Sequence, residues 1–292
     1  MAELERFVYL NGEFLPRSQA KLDLEDRGAV FADGVYEVTR YYDGTPFLMA
    51  EHIARLQRSL SLIRIEEPRE VAMLGAISDE LLARNRMKDA IVYWQITRGS
   101  APRKHAFPTG IKPTMFVITY SALKFDPTAS PVNKTAILHE DLRWHQCSIK
   151  SLMLLPNVMA KQKAEEAGAY EAILHRGDII TEGTATSVMI VRKGELWTHP
   201  ANTLILGSIT RAVILDLARK IGIPVREETY TVSHLLSADE AFICGTTSHV
   251  TPIVNVDGKT IGSGEMGPVS RRLHDALVAH ISETCGLVTP VQ

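Results

Sequence analysis

Lys150 stands in Cys147-Ser-Ile-Lys-Ser-Leu-Met-Leu-Leu-Pro156, among mostly apolar neighbours. A lysine in such surroundings loses hydration, which favours the neutral, nucleophilic amine that condenses with a carbonyl to a Schiff base. The same context also suits a lysine whose stem packs on apolar surface while its head reaches water. Glu182 lies in Ile179-Ile-Thr-Glu-Gly-Thr-Ala-Thr-Ser-Val188, a strand running into a glycine turn, hydroxyl residues and a second strand. A carboxylate there could hold a positively charged ring nitrogen while hydroxyls and amides take other polar atoms. An ordinary turn glutamate fits the context equally. Leu206-Gly-Ser-Ile-Thr-Arg211 precedes a helical pattern, and Cys244-Gly-Thr-Thr-Ser248 follows a strand-like run. Both offer backbone N–H groups and hydroxyls to an anion, although Ser208 or Thr210 also reads as a plain N-cap. Arg98-Gly-Ser-Ala-Pro-Arg-Lys-His105 is a loop between two β-rich runs. Its cations suit a carboxylate, or simply water. Arg55 and Arg58 lie on an amphipathic helix, where exposed arginines are common, and Tyr36 alternates with its neighbours in a strand, as a core aromatic also would.

Alternating mixed elements must position these residues. Asn11-Gly12 and Asp43-Gly44 sit between apolar runs and predict hairpins over residues 7–15 and 35–48, and Asp257-Gly258 predicts a third over 250–261. Ile53, Leu56, Leu60 and Ile63 share one face of a helix over residues 50–63. Pro68 is expected to open a second helix, with Val71, Leu74, Ile77 and Leu81 along its apolar stripe. Strands are expected at 90–97, 114–120, 134–138, 170–175, 187–191 and 240–244, and helices at 157–167, 210–221 and 268–284. Residues 121–131 are polar, with Pro127, Ser130 and Pro131, and are expected to link a domain 1–120 to a domain 132–292 that carries Lys150. Hairpins outnumber plausible strand–helix–strand crossovers, so the fold class is α/β of the α+β type with largely antiparallel or mixed sheets. No glycine-rich phosphate fingerprint follows a strand, which disfavours a Rossmann fold.

Composition narrows the function classes. The 292 residues are 45% hydrophobic and 23% charged, enough to bury a sizeable core. Net charge is −2, with 32 basic and 34 acidic residues spread along the chain, so neither a nucleic-acid footprint nor an acidic tail is expected. No apolar run approaches the roughly 20 residues needed to cross a bilayer, and the acidic start does not read as a signal peptide. A cytoplasmic protein is expected. Cys147, Cys244 and Cys285 are too few and scattered for a disulfide framework, and the ten histidines show no metal-ligand spacing.

Taken as an ordered set, Asp33-Gly-Val-Tyr-Glu37, Glu51-His-Ile-Ala-Arg-Leu56, Arg103-Lys-His105, Ile149-Lys-Ser-Leu152, Thr181-Glu-Gly183 and Gly207-Ser-Ile-Thr-Arg211 resemble the fold-type IV pyridoxal-phosphate (PLP) enzymes. That class includes D-amino acid aminotransferase, branched-chain aminotransferase and aminodeoxychorismate lyase. The resemblance spans nearly the whole chain and is nearest to the bacterial D-amino acid aminotransferases. It implies two α/β domains with the cofactor between them. It further implies Lys150 as the Schiff-base lysine, Glu182 as partner of the pyridine nitrogen and Arg55 as the phosphate arginine. Ile209 and Thr210 become backbone and hydroxyl phosphate donors, Thr246 another, and Leu206 the residue against the ring. Tyr36, Arg103 and His105 match the trap for the carboxylate of D-substrates. The Arg-x-His pair comes from the neighbouring subunit in that family, which implies a homodimer. Thr184, Ala185 and Ser187 depart from the expected serine run, and Gly245 stands where a serine is expected.

The implied activity is transfer of an amino group from D-amino acids such as D-alanine and D-glutamate to a 2-oxo acid such as 2-oxoglutarate. A branched-chain L-aminotransferase shares the cofactor apparatus, but Arg103-x-His105 speaks against it. An (R)-amine transaminase or a lyase also fits the scaffold. A reading from another class is a cofactor-free thiol hydrolase built on Cys147 and His145, which leaves the rest of the set unexplained.

Overall fold

The computed structural model describes residues 6–287, and the chain divides into two compact units. The first takes the chain through Asp126, returns for Ile149–Met153 and takes the chain again from Thr284; the second takes Pro127–Ser148 and Leu154–Glu283.

The first unit holds a six-stranded sheet of β1 (Phe7–Leu10), β2 (Glu13–Pro16), β3 (Gly34–Tyr42), β4 (Thr45–Pro46), β5 (Ala90–Thr97) and β6 (Thr114–Ser121). The order is β2-β1-β6-β5-β3-β4, and every pair is antiparallel. Asn11-Gly12 and Asp43-Gly44 close the two hairpins with φ of 46° and 101°, and 44° and 87°. Two successive positive φ values match the twist of the flanking strands, which is why these residue pairs stand there. Helices α1 (Arg27–Phe31), α2 (Met49–Leu62) and α3 (Leu74–Arg84) complete the unit. The segment expected to be one helix from Pro68 begins as a 3₁₀ turn over Arg69–Met73, where Val71 N–H bonds back to Pro68 O at 3.0 Å before α3 takes over. Alternate residues Val92, Trp94 and Ile96 of β5 are wholly buried, as are Leu56 of α2 and Leu74 and Leu81 of α3. Period 2 thus meets period 3.6 across one core.

The second unit is a mixed sheet of β7 (Lys134–Glu140), β8 (Glu171–Arg176), β9 (Ile179–Gly183), β10 (Ser187–Arg192), β11 (Glu195–Thr198), β12 (Val225–Glu227), β13 (Glu240–Gly245), β14 (His249–Val256) and β15 (Lys259–Thr260). The path is β12-β11-β10-β13-β14-β7-β8-β9, with β15 paired to β14. β11 with β12, β14 with β7 and β7 with β8 run parallel; the other pairs are antiparallel. The helices are α4 (Leu155–Glu166), α5 (Ile209–Lys220), α6 (Val232–Leu236) and α7 (Pro268–Thr284). α4 connects the parallel pair β7 and β8, and α5 the parallel pair β11 and β12, the connection that parallel neighbours require. Ala160 and Ala164, four residues apart, seat α4 on Ala172 and Leu174 of β8. Ile173, Ile180, Val188, Ile190, Ile243 and Ile253 form the main core from five strands.

Lys150 lies within the residues expected to form a C-terminal domain, but its segment packs with the first unit. The cause is backbone pairing. Tyr36 N–H donates to Lys150 O and Leu152 N–H to Gly34 O, both at 3.0 Å, so residues 150–152 line the start of β3. Gly34 permits this approach, because a Cβ there would stand 2.8 Å from the Leu152 side chain and 2.6 Å from Ile96 O.

Candidate active site

In the first unit the expected residues gather along β3 and α2. Lys150 Nζ lies 4.2 Å from the centroid of the Tyr36 ring, which stacks on Tyr93 at 5.6 Å. The Lys150 amide faces Ser59 Oγ of α2 at 3.4 Å. One residue past Tyr36, the strand turns Glu37 to the opposite face, where it is fully buried. Glu37 accepts from Arg55 Nε at 2.6 Å and NH2 at 2.9 Å, and pairs with His52 Nδ1 at 2.8 Å. His52 and Arg55 are three apart on α2, so one helix face presents both to one carboxylate. Burial alone would raise Glu37, but the Arg55 charge, the His52 and Arg55 hydrogen bonds and the charge of Lys150 hold it at about 2. Burial pushes His52 below its ordinary value, against the pull of Glu37. The pair locks the guanidinium of Arg55, itself 8% exposed. His52 and Glu37 were not singled out from the sequence as site residues. Their signal was present, since both fall inside the quoted motifs.

Arg103 and His105 stand exposed on the loop after β5. Arg103 lies 5.1 Å from the Phe31 ring, and the His105 ring centroid 5.4 Å from it. Within the chain no ring contact or hydrogen bond joins either residue to Tyr36, among the described residues.

In the second unit Glu182 ends β9, 5% exposed. Both its oxygens lie 3.1 Å from the amide of Leu206, and Oε1 also accepts from Arg143 NH1. Arg143 grips Asp141 with Nε and NH2, each at 2.8 Å, and Asp141 also accepts from Arg176 at 3.1 Å and Thr181 Oγ1 at 3.0 Å. Burial would raise Asp141, but these donors, Arg143 foremost, bring it to about 2. Burial raises Glu182 despite Arg143 and the Leu206 amide. The carboxylate is therefore desolvated and oriented, with its proton affinity set between burial and one guanidinium. Leu206 touches Glu182 through its backbone, a role its side chain did not announce. Arg143 and Asp141 went unread in the sequence, because Asp-x-Arg after a strand has the look of a solvated turn.

Two of the hydroxyls expected to serve a ligand after Glu182 turn elsewhere. Thr184 Oγ1 donates to Glu171 at 2.5 Å and Thr186 Oγ1 to the same carboxylate at 2.9 Å. Thr184, one of the departures from a serine run, thus ties the turn to β8 together with Thr186. Gly245 has a local reason as well: a Cβ there would meet Ser248 Oγ at 3.0 Å.

The residues fit a phosphate-bearing ring cofactor. Ser208 caps α5 by accepting from Arg211 N–H at 3.1 Å, so the first-turn amides of Ile209 and Thr210 have no partner within the helix. Ser187 Oγ and Ser248 Oγ are buried without a hydrogen-bond partner, donors of the kind an anion satisfies. Thr246 lies in the same turn as Ser248, half-buried. The thiol reading finds no support: Cys147 Sγ is buried, bonds Trp144 O at 3.1 Å and is pushed by burial to about 11, the reverse of an activated thiolate.

Comparison with known proteins identifies the family. The D-alanine aminotransferase of Bacillus licheniformis is 44% identical over 283 residues, covering 96% of this chain and 99% of that protein. The crystal structure of the Escherichia coli branched-chain amino acid aminotransferase superposes with a TM-score of 0.87 at 24% identity, covering 98% of this chain and 97% of that one. The PLP form of the Thermobaculum terrenum branched-chain aminotransferase gives 0.82 at 26% identity, covering 97% and 95%. A family model, amino-transferase class IV, matches residues 34–256, from the start of β3 to the end of β14. The chain belongs to the class IV aminotransferases, the fold-type IV family.

Proposed function

We propose that this chain is a PLP-dependent aminotransferase that moves amino groups between D-amino acids, such as D-alanine and D-glutamate, and 2-oxo acids such as 2-oxoglutarate. The observation that carries this reading is the 44% identity, over nearly the full chain, to a D-alanine aminotransferase. PLP, when bound, supplies an electron-withdrawing ring that stabilises negative charge at the substrate carbon.

This chain's residues do the rest. Lys150 is the covalent anchor of the cofactor, and its Nζ takes the proton from the substrate Cα. In the second half-reaction the same amine returns a proton to Cα of the new amino acid. Glu182 holds the ring nitrogen in its protonated state, and Arg143 and the Leu206 amide fix the carboxylate for that task. Leu206 also packs against the ring. Arg55, Ile209, Thr210 and Thr246 hold the phosphate.

Tyr36, Arg103 and His105 receive the substrate carboxylate. Enantiomer choice follows from three fixed directions at Cα. The cofactor takes one, the carboxylate grip takes a second, and the hydrogen must face Lys150. An L-substrate then has to exchange carboxylate and side chain, leaving the Arg103 guanidinium unpaired. An unpaired charge that the homodimer has taken out of water costs several kcal/mol, so discrimination of roughly a thousandfold is expected.

Arg103 and His105 act on the partner's site in a homodimer. That no hydrogen bond or ring contact joins either residue to Tyr36 among the described residues supports this, as do the exposed apolar residues Leu155, Val158 and Met159 on α4. The three cysteines are all unpaired and buried, consistent with a reducing cytoplasm.

The test is kcat/KM for D-alanine, L-alanine and L-leucine with 2-oxoglutarate. Higher efficiency on either L-substrate would replace the D-specific reading with the branched-chain one.

A further inference from the structure

The loop that carries Arg103 and His105 is held from α1. Asp33, just beyond that helix, accepts from Arg27 Nε at 2.7 Å and from Arg98 Nε and NH2 at 2.8 and 2.9 Å. Both terminal nitrogens of Arg27 reach the loop: NH1 donates to Lys104 O at 2.6 Å and NH2 to His105 O at 3.3 Å. Phe31, one turn along α1, lies 4.8 Å from the Arg27 guanidinium and is the ring on which both Arg103 and His105 rest. Arg98 anchors the start of the loop by donating to Ile63 O and Arg64 O at 2.9 and 2.8 Å. Arg27 is 3% exposed, whereas Arg103 and His105 are exposed. A buried cation thus grips the backbone beneath the exposed side chains of Arg103 and His105.

We propose that Arg27 is a positioning residue that determines specificity: through the carbonyls of Lys104 and His105, with Phe31 as platform, it sets where Arg103 and His105 stand to receive the substrate carboxylate. The inference rests on reading those two residues as the carboxylate grip. Its physical basis is the guanidinium fork. One planar group reaches a carboxylate and two carbonyls at once, which a lysine ammonium cannot do in fixed geometry. Without it the loop retains Arg98 but loses the tie at the two residues that matter. Substrate binding must then order the loop itself, which weakens affinity and leaves the proton transfer at Lys150 alone.

The experiment uses the holoenzyme. Arg27→Met keeps Asp33 paired with Arg98, so no buried carboxylate is left without a partner. It should raise KM for D-alanine and the dissociation constant of propionate, an unreactive carboxylate measured by calorimetry, by about tenfold, with kcat within about threefold. Arg27→Lys should recover part of the loss. In an Arg103→Leu background, Arg27→Met should cost clearly less than it does alone, since the part of its effect that passes through Arg103 is already gone. Unchanged KM and propionate affinity in Arg27→Met, with both impaired in Arg103→Leu, would defeat the proposal and leave the carboxylate grip standing. No effect of Arg103→Leu would defeat both. A full additional loss in the double variant would show that Arg27 supports the fold alone, against the proposal. Should Arg27→Met not fold, Phe31→Leu carries the same comparison.

Discussion

Replacing Glu182 by glutamine probes the link between burial and chemistry most directly. The side chain keeps its shape and loses its charge. Arg143 remains bound twice to Asp141, so the buried guanidinium is not stranded. The amide can place its oxygen at the Oε1 position, where Arg143 and Leu206 both donate. Its NH2 then occupies the position of Oε2, whose one donor among the described residues is the Leu206 amide. A ring nitrogen that met an acceptor now meets a donor, which favours the unprotonated ring. A hydrogen bond to a charged group is worth about 1.5–3 kcal/mol, and an oriented electrostatic partner in a dry site several. A combined loss of about 3–4 kcal/mol lowers kcat by roughly 10²–10³-fold. The cost to stability is about 1–2 kcal/mol, one weakened charge-assisted bond. The assay is single-turnover transamination of D-alanine by the loaded variant, alongside a urea unfolding curve. Turnover within threefold of wild type, in a folded and loaded variant, would refute the assignment of Glu182.

Three further expectations concern the anchor, the assembly and the response to acid. Lys150→Ala should abolish transamination, and borohydride reduction of the wild type followed by peptide mapping should place the pyridoxyl label on Lys150; label on another lysine would move the anchor. Mixing Arg103→Leu with Lys150→Ala subunits should restore activity through heterodimers with one intact site; proven exchange without recovery would place Arg103 in its own subunit's site. Glu37 falls from its usual 4.5 to about 2 in the folded chain, so its contribution is complete above pH 4.5 and is lost as pH falls through 2. That is worth about 3 kcal/mol at neutral pH. Glu37→Gln should therefore flatten the acid limb of a stability-versus-pH curve, and an unaltered limb would place the acid-sensitive group elsewhere.

Local signals made much of the fold legible. Asn11-Gly12, Asp43-Gly44 and Asp257-Gly258 each close a hairpin, because only residues that accept positive φ fit those turns. The helical stripes of α2, α5 and α7 were long enough to show their period. The five-residue helices α1 and α6 and the short strands β11 and β12 were not, and their existence depends on packing. The site divides the same way. Lys150, Glu182, Tyr36 and Arg55 sit in motifs whose order along the chain is distinctive. Asp141, Arg143 and Arg27 each look like surface charges in their own neighbourhoods. What buries them is a partner distant in sequence or beyond a turn, as when Arg27 reaches Lys104, and no local pattern records it. The polar stretch near Pro127 marks where the chain leaves the first unit, but nothing in composition marks its return at Ile149.

That return bears on how the protein is made. β3 has β5 along one side, but on its other side β4 covers only Tyr41 and Tyr42. The backbone of Tyr36 therefore waits for Lys150 O, and Gly34 O for Leu152. On a ribosome, the first unit's leading segment ends at Asp126, and Met153 follows 27 residues later. At about 5–20 residues per second, β3 keeps an open edge for roughly 1–5 s. An open edge is a template for foreign strands. The newborn chain thus exposes that edge to foreign strands until its lysine arrives, and a fragment cut at Asp126 would keep it exposed for good.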